Sequence, residues 1–493
     1  MILGVLVLFL LPAPQELLYE VHGYAAGVNL GASTGGAGDL DGDGYGDFMV
    51  GLPSDRNRTG RVQVYSGRTG ELLRELHGEG PEEDFGHALD CAGDLNHDGY
   101  PDLVIGAPLW SKWRGQVRVF SGRDGTLLHR FIGEGRWPGL GWSVRSAGDV
   151  NHDGTDDVIA GAPGSYDDYG YAQVYSGSDG ATLHTFYGVA VGGWFGGIVL
   201  GLGDVDDDEH SDVLVGAPAE ERTGTARVYS GKTGATIYLL KGWERDSYFG
   251  VTTSPVGDLD RDGLADWIIS AAAADADGWN SGCAHVYSGK EGALLFKFSG
   301  DQPYDYFGGH AGGVGDVNGD SVPDLVCSAG RGRVELFSGE TGAVLYTFQN
   351  WVEEEFFGEV ARPAGDVNAD GLCDLIVGSR YDDEMGSYAG AAWVFAGNDV
   401  FLNACPNVVA AGDAITLTVR EAGAGSPALL VTTAVDGRAV YVRLLAGRLD
   451  EAGSWLISGI IPTGLDGTSV ALRAITLSSG RVVQSADKVI RIL

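Results

Sequence analysis

The sequence predicts an all-β protein: a seven-bladed β-propeller followed by a small C-terminal β-sandwich-like domain. Three observations predict it. An acidic string, Asp-x-Asp/Asn-x-Asp, starts at Asp39, Asp94, Asp149, Asp204, Asp258, Asp316 and Asp366, at intervals of 50 to 58 residues. Each interval holds four short apolar or alternating runs joined by Gly-rich turns. Beyond Gly397 the repeat stops and the charge changes. Residues 398–493 carry eight acidic and eight basic side chains, so the formal net charge of −36 belongs to what precedes them.

Each repeat reads as one blade. Nine residues before each acidic string stands an apolar residue followed by Gly: Leu30-Gly31, Phe85-Gly86, Leu140-Gly141, Phe195-Gly196, Phe249-Gly250, Phe307-Gly308 and Phe357-Gly358. A first run rich in Gly and Ala follows, as in Gly31–Gly36, and suits the crowded innermost strand. After the acidic string comes an apolar run such as Leu103–Gly106, and then an alternating run such as Gln116–Phe120. A turn like Arg123-Asp124-Gly125 leads to a fourth run, Thr126–Phe131. Four strands in about 50 residues, repeated radially, make a propeller. Closure protects edges that an open stack would expose.

The seventh repeat ends after its third run, at Trp393–Gly397. Its fourth run stands at the other end of the chain: Glu16–Gly23 parallels Glu71–Gly78 with an offset of 55 residues. The N-terminal strand is therefore expected to complete blade seven, and the propeller spans 16–397. Residues 1–15, with an apolar run from Ile2 to Leu11, read as a candidate secretory signal peptide. That run is too short to span a bilayer, and no other segment is long and apolar enough to do so. Residues 398–493 alternate as strands (Ile415–Val419, Tyr441–Leu444, Val470–Ile475) between Asp-Gly turns, and read as an immunoglobulin-like sandwich. Spacing, sorting or partner docking are the roles expected of it.

The acidic strings have the chemistry of calcium loops. In loop one, oxygens of Asp39, Asp41, Asp43 and Asp47 (positions 1, 3, 5 and 9) can converge with the carbonyl of Tyr45 at position 7. A hard cation takes six to eight such ligands, and carboxylates held this close repel one another without one. The other sets are Asp94, Asn96, Asp98, Tyr100, Asp102; Asp149, Asn151, Asp153, Thr155, Asp157; Asp204, Asp206, Asp208, His210, Asp212; Asp258, Asp260, Asp262, Leu264, Asp266; Asp316, Asn318, Asp320, Val322, Asp324; and Asp366, Asn368, Asp370, Leu372, Asp374. Up to seven Ca²⁺ are expected. Position 6 is Gly in five loops, where the chain must turn left-handed. Glu209 and Ser321 replace it in loops four and six and adopt that turn less readily.

A net charge of −36 excludes nucleic acid as a partner and disfavours anionic membranes. The five cysteines (Cys91, Cys283, Cys327, Cys373, Cys405) form no CxxC pair and read as small buried hydrophobes. Gly31-Ala32-Ser33-Thr34-Gly35 fits a serine-hydrolase pattern but lies in an inner strand, not at a strand–turn–helix elbow. The histidines show no zinc spacing, and His97 and His152, at position 4 of their loops, are expected to face solvent.

Phe-Gly, then Asp-x-Asp-x-Asp-Gly-x-x-Asp, then Gly-Ala-Pro (Gly106–Pro108, Gly161–Pro163, Gly216–Pro218) resembles the FG-GAP repeat of integrin α-subunit propellers, over roughly residues 16–397. The resemblance implies a calcium-stabilised propeller in an extracellular or cell-surface protein of adhesion or of protein and glycan binding. The chain departs from it in places. Leu30 and Leu140 replace Phe, and Gly-Ala-Pro becomes Ser270–Ala272, Ser328–Gly330 and Gly378–Arg380 in the last three repeats. All seven repeats carry acidic loops, whereas integrin chains carry them in only some blades, and integrin leg domains are missing.

Strand order puts the acidic loops on one face. The opposite face collects Trp110, Trp113, Trp137, Tyr166, Tyr169, Trp194, Tyr248, Trp279, Tyr304, Tyr306, Trp351 and Tyr381. Exposed aromatics suit a protein or carbohydrate ligand. The leading reading is a monomeric, secreted or cell-surface, non-enzymatic binding module. The alternatives are a polysaccharide-active enzyme (a lyase or hydrolase on a similar propeller) and a structural surface protein.

Overall fold

The computed structural model describes residues 17–135, 137–164, 168–330, 332–349 and 357–397, together with the backbone of five further strands between 415 and 491. The chain divides into two compact units, residues 13–401 and a second unit that contains residues 402–493.

The first unit is a seven-bladed propeller. Blade one is built from Ser33–Gly38, Asp47–Leu52, Arg61–Tyr65 and Leu72–His77, hydrogen-bonded in that order into one antiparallel sheet. Blades two to six repeat the pattern, with innermost strands Ala88–Gly93, Ser143–Gly148, Ile198–Gly203, Thr253–Gly257 and Ala311–Gly315. Blade seven takes Val360–Gly365, Asp374–Ser379 and Ala391–Phe395 from its own repeat and Leu17–His22 from the start of the chain. The closing strand runs antiparallel to its neighbour, from Leu17 opposite Phe395 to His22 opposite Ala391. The expected closure is thus present, with the expected strands. Innermost strands of successive blades touch all the way round, and that of blade seven meets that of blade one.

The core is divided among the seams. One apolar cluster fills each of the seven gaps between neighbouring blades: Met49, Val62 and Phe85 with Leu103 and Ile105 between blades one and two, for instance, and Phe48 and Val50 with Ile376 and Val394 between seven and one. The second strands, buried along their length, read as continuous apolar runs for this reason. The apolar residue of each Phe-Gly pair lies in a seam. Leu30 and Leu140 do this as Phe85 and Phe307 do, and each of the four forms a parallel bridge to a Gly (Gly390, Gly115, Gly60 and Gly282). Leucine therefore substitutes for phenylalanine here at no change in topology.

In the second unit, Ile415–Glu421, Leu429–Val435 and Arg438–Leu444 form a three-stranded antiparallel sheet, and Ser469–Ser478 pairs with Arg481–Arg491. The candidate signal segment and Cys405 lie outside the described residues. Cys91, Cys283, Cys327 and Cys373 are free thiols, and burial pushes Cys283 up to about 12. No helix among the described residues is long and apolar enough to cross a membrane.

Candidate functional site

Every acidic loop joins the first strand of its blade to the second and folds on its own carboxylates. The position 1 aspartate accepts the N–H of position 5 on one oxygen and that of position 6 on the other: Asp94 takes Asp98 at 3.0 Å and Gly99 at 2.9 Å, and Asp204 takes Asp208 at 3.0 Å and Glu209 at 2.7 Å. The carboxylate at position 5 accepts the N–H of position 7, as Asp43 does from Tyr45 at 3.0 Å. Position 6 is left-handed in all seven loops. Glu209 (φ 70°) and Ser321 (φ 67°) adopt the conformation that Gly44, Gly99, Gly154, Gly263 and Gly371 take elsewhere. Position 4 is left-handed too, although His97, His152, Asp207, Arg261 and Ala369 occupy it in five loops, a requirement the residue types alone do not announce.

The carboxylate at position 9 has a second duty. One oxygen accepts the N–H of position 2 within the loop, and the other accepts the N–H of a glycine just beyond the third strand. In blade one, Asp47 takes Leu40 at 2.8 Å and Gly67 at 3.0 Å; in blade seven, Asp374 takes Val367 at 2.7 Å and Gly397 at 2.6 Å. All seven residues at this position (Asp47, Asp102, Asp157, Asp212, Asp266, Asp324 and Asp374) are fully buried. Burial pushes Asp47 up to about 6 and Asp324 and Asp374 up to about 7, and the neighbouring charges that act on them are other carboxylates of the same loop. A buried carboxylate without a cationic partner is the type of group a metal ion relieves.

Three loops already gather acidic oxygens within 4.8 Å of one another: Asp39, Asp41 and Asp43; Asp258, Asp260 and Asp262; and Asp204, Asp206 and Asp212. In three of the four loops with Asn at position 3, its amide nitrogen reaches a carboxylate instead: Asn96 to Asp98 at 3.1 Å, Asn151 to Asp153 at 3.0 Å, and Asn318 to Asp324 at 3.1 Å. The spacing of three or four hard oxygen donors around one point fits a divalent cation of calcium type. Loop four differs from loops one and five in that the trio within this distance includes the position 9 residue, Asp212, while Asp208 remains a close neighbour of Asp206. The exposed rings of His97 and His152 stay outside these clusters. His97 Nε2 lies 3.0 Å from Thr155 Oγ1 of the next loop, and His152 packs beside His210.

On the opposite face, Trp113, Trp137, Tyr169, Trp194, Tyr248, Trp279, Tyr304 and Tyr306 are exposed. Trp110 instead packs against the seam between blades one and two, and Tyr381 is half-buried. Tyr166 and Trp351 lie outside the described residues. Three exposed rings on this face were not among those expected: Tyr24, Trp243 and Tyr388. They occupy the same two kinds of connection, blade to blade and second strand to third, and could have been found on that basis. Ser33 of the hydrolase-like string donates its hydroxyl to Gly86 O at 2.6 Å and is a seam residue.

The FG-GAP repeat model matches residues 31–65, 89–120, 140–177 and 308–346, which fall in blades one, two, three and six. Among curated relatives, integrin alpha-5 of Xenopus laevis is 32% identical over 212 residues, covering 39% of this chain and 20% of that protein. Integrin alpha-8 of Gallus gallus is 31% identical over 206 residues, 37% of this chain and 20% of the relative. Integrin alpha-8 of Mus musculus is 28% identical over 284 residues, 50% of this chain and 26% of the relative. The chain thus matches about a fifth to a quarter of the length of these relatives. Among solved structures, BBS1N superposes with a TM-score of 0.50 at 10% identity, over 81% of this chain and 100% of that one, a likeness of fold alone. The chain carries FG-GAP repeats on a seven-bladed propeller and is similar to integrin α-subunits.

Proposed function

We propose that this chain is a calcium-binding, extracellular or cell-surface module, monomeric and non-enzymatic, that holds a protein or carbohydrate ligand on the face opposite its acidic loops. The observation that carries the calcium reading is the buried position 9 carboxylate, repeated seven times, on which the only acting charges are other carboxylates of its loop. Residues at positions 1, 3, 5 and 9 of each loop would hold the ion, together with the carbonyl at position 7. Bound calcium would supply positive charge that offsets their repulsion and ties each loop to its blade. The similarity to integrin α-subunits supports a binding role in adhesion, and the exposed rings on the opposite face supply the apolar contact such a role needs. The second unit would serve as a small sandwich for spacing, sorting or docking.

Thermal unfolding tests the first half. Sites of extracellular type bind at roughly 10⁻⁴–10⁻³ M, and a ligand bound only by the native state raises stability by mass action. Millimolar Ca²⁺ is expected to raise the melting temperature and chelator to lower it; equal melting in both would end the calcium reading. Glycan arrays and pull-downs with the calcium-loaded chain test the second half. The ligand face is expected to lose binding when Trp279 and Tyr304 are replaced by Ala, and binding indifferent to both would move the ligand elsewhere.

A further inference from the structure

The channel along the propeller axis has a chemistry opposite to that of the acidic face. Four residues before each acidic loop, the inner strand presents one residue at the same level. It is Asp90 in blade two, Arg145 in blade three, Arg362 in blade seven, and Gly35 and Gly312 on either side of Arg362 in blades one and six. Two chambers meet at this level. One, of about 490 Å³, opens toward the acidic loops and is lined by Asp90, Cys91, Ser146 and Cys373 among others. The other, of about 190 Å³, opens toward the opposite face and is lined by Thr34, His87, Trp142 and His310 among others. Arg145 and Arg362 line both, so the two guanidinium groups stand at the waist.

Arg145 is buried and Arg362 half-buried, and neither has a carboxylate within ion-pair distance among the described residues. Elsewhere in the propeller, a buried arginine is paired: Arg61 with Glu75 at 2.6 Å, Arg227 with Glu220 at 2.6 Å, and Arg118 with Glu83 at 3.4 Å. Arg145 is only 6% exposed, yet its Nη1 donates to the carbonyl oxygen of Val144 at 2.6 Å. The acid that acts on it, Asp90, stands beyond ion-pair distance and accepts the N–H of Ser146 at 3.0 Å. Arg362 makes no hydrogen bond or ion pair to any described residue. In the smaller chamber, His310 Nδ1 and Thr34 Oγ1 are both buried without a hydrogen-bond partner. In a chain with 68 acidic and 32 basic residues, two guanidinium groups thus line a cavity without an ion pair to any described residue. A desolvated cation is stable when an anion accepts its N–H groups, and the planar guanidinium fork matches oxyanions and carboxylates.

We propose that the waist of the central channel binds a small oxyanion or carboxylate between Arg145 and Arg362, with His310 and Thr34 as neutral partners on the side of the smaller chamber. Asp90 opposes the anion and sets an upper limit on its affinity. The site is independent of the acidic loops and of the aromatic face.

Calorimetry of the full calcium-loaded chain with sulfate, replacing chloride at constant ionic strength, tests the site. Arg362→Gln is expected to weaken binding about ten-fold or more, and Asp90→Asn to tighten it. Neither residue fills a seam, so melting temperatures close to the parent's verify folding. A crystal soaked in selenate is expected to show an anomalous peak between Arg145 and Arg362. Galactose 6-sulfate is titrated in parallel: binding like sulfate assigns the site to a pendant acidic group, and binding of sulfate alone assigns it to the free ion. Absence of binding by both probes, a selenate peak only outside the channel, or equal affinity in parent and both variants would overturn the proposal.

Discussion

The indole Nε1 of Trp393 donates to Oε1 of Glu20 at 2.7 Å, across 373 residues of sequence. The contact lies on the sheet that closes the ring, where Glu20 and Trp393 are paired directly across the strands. Removing Leu17–His22 would leave blade seven with three strands and an unpaired edge. Deleting residues 1–22 is therefore expected to lower the melting temperature in saturating Ca²⁺ far more than deleting residues 1–13. Trp393→Phe, which removes only the indole hydrogen bond, should cost about 1 kcal/mol. Equal melting of the two truncations would mean that some other contact holds the ring closed.

The turn between the third and fourth strands depends on glycine for a reason of space. A Cβ on Gly122 would collide with the carbonyl oxygen of Pro101, and one on Gly177 with that of Asp156. These glycines donate to the position 9 aspartates Asp102 and Asp157 at 3.0 Å. Gly122→Ala must push loop and turn apart, and should destabilise by about 1–3 kcal/mol. Gly125→Ala, in the same turn, meets only the Arg74 side chain. It should lose the smaller amount expected of a left-handed alanine, about 1 kcal/mol. Urea midpoints of the two variants would separate the effects.

Glu209 and Ser321 hold a conformation that glycine adopts without strain. Glu209→Gly is expected to raise the calcium affinity of loop four and leave loop one unchanged, with a gain of roughly 0.5–1 kcal/mol in loaded stability. Anomalous scattering at limiting Ca²⁺ would record loop-by-loop occupancy in parent and variant. Higher occupancy of loop four than of loop one in the parent would contradict the argument.

Acid sensitivity has a local source at His285. The ring is buried, its Nδ1 has no hydrogen-bond partner, and it packs edge-on against Trp243 at 4.3 Å. Burial, with Lys297 adding to it, pushes the imidazole down to about 4. The unfolded chain takes up this proton near the ordinary histidine value of about 6.5 and the folded chain does not. Stability contributed here is complete above about 6.5 and is lost as pH falls toward 4, by a few kcal/mol at most. His285→Phe should flatten that part of the pH profile relative to the parent and change stability near pH 7.5 by less than about 1.5 kcal/mol. A variant with the parent's slope would exclude His285 as the source.

Burial also seals the thiols. Cys327 is completely enclosed and Cys283 is pushed up to about 12, so neither forms a thiolate near neutral pH. Neither should react with a thiol-specific reagent until the propeller unfolds, and rapid labelling of the native protein at either position would contradict the packing.

Much of this was legible because the propeller repeats itself in one dimension. Seven aspartate strings, five with a glycine at position 6, and a fourth strand displaced from Gly397 to Glu16, specify blade count, closure and loops by spacing alone. The rest depends on distances that no repeat encodes. Asp47 reads as a loop ligand, but its hydrogen bond to Gly67 spans two strands and an intervening turn. Trp110 and Trp113 stand in one short helical segment, where left-handed Ser111 and Lys112 help to leave one ring against a seam and the other exposed. Arg145 and Arg362 belong to blades far apart in sequence, and only ring geometry brings them to one cavity. Residue type gives a side chain's chemistry, and the company it keeps waits for the fold.

The displaced strand also governs how the propeller comes into being. Leu17–His22 leaves the ribosome more than 360 residues ahead of Ala391–Phe395, its eventual neighbour. Until then it has no sheet to join, while blades one to six can each form from contiguous chain. Joining the two strands closes the longest loop among the described strand pairings, and the entropic cost of such a loop grows only slowly with its length. Assembly is thus expected to run blade by blade and finish with a single late step. Until that step, the open edge of blade seven is a vacant berth for an extended segment of matching register, including the same strand of a second nascent copy.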